Sequence, residues 1–92
     1  MDVLNLTEEQ LKKYHMNTLE QFQKDFGKSI HTELEYYETF LIRTDYIVTR
    51  AAEASLLNEP NGIENYVEVM AARKASRNRI NELQEELANI NS

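Results

Sequence analysis

The chain has 92 residues, with 10 Lys and Arg against 16 Asp and Glu for a formal charge of −6, two Gly, one Pro and no Cys. That length suits one small domain. The lack of Cys excludes disulfides, thiolate metal sites and a thiol nucleophile, and the acidic balance argues against electrostatic binding to nucleic acid or an anionic membrane.

No apolar run nears the ~18–20 residues that span a bilayer. The opening MDVLNLTEEQ lacks the basic and apolar regions of a signal peptide, so a soluble protein made inside the cell is expected. A first helix is predicted after Thr7, where Thr7-Glu8-Glu9-Gln10 fits a capping box. Leu11, Tyr14, Leu19, Phe22 and Phe26 then recur at threes and fours as one apolar stripe, with a gap near Thr18. Glu8/Lys12, Glu9/Lys13 and Glu20/Lys24 are spaced for helical ion pairs on the wet face. Gly27 marks the end of this N-terminal helical segment, residues 1–27.

A second helix is predicted from about Lys28 to Leu57. Ile30, Leu34, Tyr37, Leu41, Val48, Ala51 and Leu57 share a face that Phe40, Ile47 and Ala54 widen. Such a helix is about 45 Å long, and Thr44-Asp45 is its weak point because both residues favour caps. Asn58-Glu59-Pro60-Asn61-Gly62 is the one strong turn signal. The third helix should start near Gly62 or Ile63 and run to about Ala88. Its seam is Tyr66, Val69, Arg73, Ser76, Ile80, Leu83, Leu87 and Ile90, a heptad pattern interrupted by Arg73 and Ser76. No window alternates as a strand does.

The expected fold is therefore all-α: a long antiparallel helical hairpin over residues 28–92, with its turn at 58–62, plus the N-terminal helix. Two such rods exceed the diameter of a compact chain this long, so the molecule should be elongated. Tyr36, Tyr37, Phe40 and Tyr46 occupy more than one face of the second helix. A single copy would leave part of that surface uncovered, which points to self-association into an oligomeric helical bundle, most simply a dimer.

Chemistry is sparse. His31 and Glu35 are four apart, but a metal site needs three or four ligands and no second His is near. His15 reads as a boundary residue. The carboxylates read as solvated faces, the serines lack a nucleophile elbow, and no phosphate-binding Gly loop is present. No catalytic, cofactor or metal residue is assigned, and an enzyme is not expected. Arg73, Lys74, Arg77 and Arg79 form the one basic cluster, but no third of the chain is net basic. Pairing with carboxylates across the hairpin, such as Glu53 or Asp45, is favoured over phosphate contacts.

Phe40, Leu41, Thr44, Asp45, Tyr46, Ala52 and Glu53, then a turn, then Tyr66, Arg73, Arg77, Ile80, Asn81 and Leu83 make a further pattern. It resembles a helical hairpin of small proteins from tailed-phage and prophage tail modules, found also at the C-termini of tail-fibre assembly and tail-assembly chaperone-like proteins. The likeness covers about half of the chain. It implies a non-enzymatic structural or tail-assembly role through helix-to-helix contacts, in the cytoplasm of a bacterial host or in the virion, with a phage structural protein or a second copy as partner. It also suggests that Asp45 receives Arg73 or Arg77 and so fixes the register of the hairpin. Tyr36, Tyr37, Phe40 and Tyr46 are the candidate packing or interface anchors. A small acidic regulatory or inhibitory protein, occluding a basic groove on a host or phage protein, is the alternative.

Overall fold

The structure, a computed structural model, describes residues 3–91; Met1, Asp2 and Ser92, the ends of the two expected segments, lie outside the described residues. It contains four helices, α1 (Glu8–Lys12), α2 (Leu19–Phe26), α3 (Ile30–Leu56) and α4 (Tyr66–Asn91). Among the described residues there is no strand. The 27 residues of α3 and the 26 of α4 pack against each other as an antiparallel hairpin, and α2 folds back along α3. The principal extents are 49 × 28 × 16 Å and the radius of gyration is 14.8 Å. A compact chain of this length would have about 12 Å, so the hairpin sets an elongated shape.

The single N-terminal helix expected from the stripe is in fact two. The capping box at Thr7 forms, with Gln10 and Thr7 bonded reciprocally, but α1 stops at Lys12. Tyr14 and Met16 are both buried, and residues two apart cannot share one helix face. The chain solves this by leaving the helix: His15 adopts a left-handed φ of 57°, and the amide of Met16 turns back to the carbonyl of Leu11 at 3.0 Å. Thr18 then caps α2, its hydroxyl accepting from the Gln21 amide at 3.2 Å. Of the expected helical ion pairs, Glu20–Lys24 is seen at 3.7 Å. Lys13 instead reaches Glu64 in the hairpin connection, because it sits where α1 has already ended.

Gly27, at φ 98°, lets the chain reverse after α2. Ser29 starts α3 by accepting from the Thr32 amide at 3.1 Å. The helix passes through Thr44-Asp45 without a break. Thr44 turns its hydroxyl onto the carbonyl of Phe40, 2.7 Å away, and a Thr satisfied this way stays helical. The connection is longer than the turn signal indicated, and α4 starts at Tyr66 rather than at Gly62 or Ile63. Left-handed residues at Gly62 and Asn65, and an Asn61 side chain accepting from the Ile63 amide at 2.9 Å, keep this stretch out of the helix.

The core decides between packing and interface for the four aromatic anchors. Tyr36, Tyr37 and Phe40 are fully buried within one chain. The N-terminal segment covers them: Phe22 packs on Tyr36 with rings tilted by 54° and centroids 5.3 Å apart, and Tyr14 meets Phe40 edge-on at 6.3 Å. Leu4, Leu11, Met16 and Leu19 close the same layer. The three rings are core anchors, and only Tyr46 of the four stays outside, 55% exposed. Periodicity on α3 alone could not show this, because the cover comes from α1, the turn at Tyr14–Met16 and α2 together. The Tyr36 hydroxyl donates to the carbonyl of Asn17 at 2.8 Å. Tyr36→Phe should therefore lower stability by about 1 kcal/mol in urea melts while leaving helix content unchanged.

Candidate functional site

Two ionic contacts tie α3 to α4. Arg73 lies inside the seam of α4, flanked by the buried Val69, Ala72 and Ser76. Its guanidinium donates to the Leu41 carbonyl at 2.8 Å, to the Thr44 hydroxyl at 2.6 Å and to Asp45 at 2.9 Å. The small Ala72 and Ser76 let the helices approach, and Ser76 satisfies itself on the Ala72 carbonyl at 2.8 Å. Arg79 makes the second tie. Its Nε donates to Glu33 at 2.9 Å and a terminal nitrogen to the other carboxylate oxygen at 3.3 Å. Hydrogen bonding to Glu33 raises the pKa of Arg79 further, against the opposing effect of burial.

The expected register pair thus involves Arg73. Arg77 is exposed on α4, a turn beyond the residue that faces Asp45, and is not part of the tie. The basic cluster is dispersed: Arg73 and Arg79 point into the hairpin, while Lys74 and Arg77 face solvent. Glu33, rather than Glu53, takes the second arginine.

His31 and Glu35 are both exposed. Among the described residues there is no group of three or more His, Asp or Glu placed to hold a metal ion. Every buried side-chain polar atom among them has a hydrogen-bond partner, which leaves no orphaned group inside the fold to recruit a ligand. A hollow of about 160 Å³ lies beside Tyr14, Tyr46, Arg50 and Ile63, with the Lys13–Glu64 pair on its wall. That is below the ~300 Å³ at which small-molecule sites begin.

Tyr14, on the wall of this hollow, has its phenol pKa raised above 10.0. Burial is the main cause, then the neighbouring Tyr46; Lys13 pulls the other way and Glu64 pushes up. A raised folded-state pKa means that the fold favours the neutral phenol. This contribution is whole below the unfolded pKa of 10.0 and is lost as pH rises through the folded value. Stability should therefore fall on the alkaline side of pH 10, and Tyr14→Phe should make the fall shallower in denaturation midpoints plotted against pH.

Of the large apolar side chains that the closed core leaves outside, which include Phe26, Leu57, Val67 and Ile90, three share one side of α3. Ile42 is 70% exposed, Leu56 is 86% exposed, and Tyr46 lies between them on the same side. With one residue every 100°, positions 42, 46, 49, 53 and 56 share a face, away from the buried Phe40, Thr44 and Ile47. This strip is the candidate functional surface, and the exposure of Ile42 was not foreseen from the sequence. No helix among the described residues is long and apolar enough to cross a membrane. Comparison with known proteins finds no match to this chain among protein-family models, curated proteins or solved structures.

Proposed function

We propose that this chain is a non-enzymatic component of a tailed-phage or prophage tail module, structural or assembly-related, that acts through helix-to-helix contacts. The observation that carries the contact surface is the outward apolar strip Ile42, Tyr46 and Leu56 on a chain whose core is already closed. Ile42 and Tyr46 are neighbours one turn apart, with Leu56 farther along the same face, and large apolar side chains exposed side by side mark protein contacts. The tail assignment is supported by the residues that resemble tail hairpins: Thr44, Asp45 and Arg73 form the clamp that holds α3 and α4 in register, so the pattern corresponds to a physical unit.

The assignment is tested by mass spectrometry of purified particles. A tail component is present in them and is expressed with late genes. Early expression and absence from particles would instead indicate the acidic regulatory or inhibitory protein. Ile42→Glu with Leu56→Glu should leave helix content and melting temperature close to wild type, since both positions are exposed, and should lower incorporation into particles by about tenfold or more.

A further inference from the structure

The strip on α3 carries a charge pattern that selects its occupant. In heptad notation, Ile42, Thr49 and Leu56 fall at d and Tyr46 at a. The flanking g positions hold Glu38 and Asp45, and the flanking e positions hold Arg43 and Arg50. All four are exposed; Asp45 keeps 65% of its side chain in solvent although Arg73 holds one of its oxygens, and Arg43 keeps donors for a partner beyond the one it gives to the Tyr14 carbonyl at 3.4 Å. One flank is thus acidic and the other basic, with each basic residue five positions after an acidic one.

That spacing is the one by which a g residue of one helix meets an e residue of a parallel partner. In a parallel pair Glu38 faces the second copy's Arg43, and Asp45 faces its Arg50, twice each across the two-fold axis. In an antiparallel pair e meets e and g meets g, which sets arginine against arginine and carboxylate against carboxylate. Charge complementarity therefore discriminates between the two orientations.

We infer that the outer face of α3 docks the same face of a second copy, in parallel and in register, as a symmetric pair. This deepens the proposed function and rests on its reading of the strip as a contact surface; it names the partner as the chain itself. The seam from Ile42 to Leu56 is about four turns, so its area lies at or below the ~1,200 Å² low end of specific interfaces. The pair is accordingly weak and forms with rising concentration. Glu53 sits at an a position of the seam and faces its own copy in this register, which weakens the pair further.

The chain has no Cys, so single-Cys variants report register directly. In a parallel pair Ile42→Cys, Thr49→Cys and Leu56→Cys each link to themselves under mild oxidation, because every d position meets its counterpart within disulfide reach. In an antiparallel pair at most one of the three links efficiently. Sedimentation equilibrium should show wild-type mass rising from 10.8 kDa toward twice that value with concentration. Glu53→Leu should tighten association by about tenfold, and Ile42→Glu should weaken it by a similar factor. Arg43→Glu should weaken it, and adding Glu38→Arg should restore it.

A constant monomer mass with no cross-linking overturns the inference, as does cross-linking at only one of the three sites, or association that Glu53→Leu does not tighten. These outcomes are separate from those of the particle test. A monomer found in particles overturns self-pairing alone, and a parallel pair absent from particles overturns the tail assignment alone.

Discussion

Arg73→Ala should destabilise the protein by about 2–3 kcal/mol, and Asp45→Ala by less than about 1 kcal/mol. The asymmetry follows from where each charge sits. The Arg73 side chain is only 10% exposed, whereas Asp45 is 65% exposed. Removing the arginine takes away the donors to the Leu41 carbonyl and the Thr44 hydroxyl, and also the packing of its stem in the seam. Removing the carboxylate leaves a guanidinium that still donates to two oxygens. A double-mutant cycle between the two should show coupling of about 0.5–1 kcal/mol. The same cycle with Arg77→Ala should be additive, because Arg77 is exposed and outside the clamp. Urea denaturation of the three single and two double variants measures both. Additivity between Asp45→Ala and Arg73→Ala would remove the ionic part of the clamp and leave only packing.

Phe40→Ala should have the larger effect, about 3–5 kcal/mol. Phe40 is fully buried, and its ring meets Tyr14 edge-on where the N-terminal segment crosses α3. The loss combines apolar area returned to water, a cavity that the rigid hairpin cannot collapse, and an aromatic contact worth about 1 kcal/mol. A domain of this length has a total stability of roughly 5–14 kcal/mol, so the variant should melt at least about 15 °C lower. Phe40→Leu keeps most of the volume and should cost about 1–1.5 kcal/mol. If Phe40→Ala melts like wild type, the N-terminal segment does not cover α3 as described.

The hairpin was legible because its signals are local or periodic. The α4 seam from Val69 through Arg73, Ser76, Ile80 and Leu83 is buried as the heptad spacing predicts. Pairing of Asp45 with an arginine on the facing helix was also expected, from the one basic cluster facing the carboxylates of α3 and from the resemblance to tail hairpins. Which arginine meets it was less legible, because that depends on where α4 starts. Asn61 and Asn65 move the start to Tyr66 through backbone conformations that periodicity does not carry.

The N-terminal segment was harder to read for a related reason. Leu11, Tyr14 and Leu19 fit one helical stripe, and the stripe conceals the left-handed His15 that divides it. Burial of Tyr36 and Tyr37 depends on that division. A straight first helix would cover one side of α3, whereas α1, the turn and α2 together reach the adjacent faces on which these rings lie. The aromatic surplus read from the sequence was real as composition, but it belongs to the core. The outward side of α3 carries Ile42, Tyr46 and Leu56 instead, and of these the sequence marks Tyr46 alone as an anchor.

One chain closes its own core without a second copy. Far-ultraviolet circular dichroism on serial dilution, from about 100 μM to about 1 μM, tests it most directly, because a fold that exists only as an oligomer melts as its copies separate. The expected result is the same helical signal per residue at every concentration. Helix loss that grows on dilution would contradict it and return Tyr36, Tyr37 and Phe40 to an interface between copies.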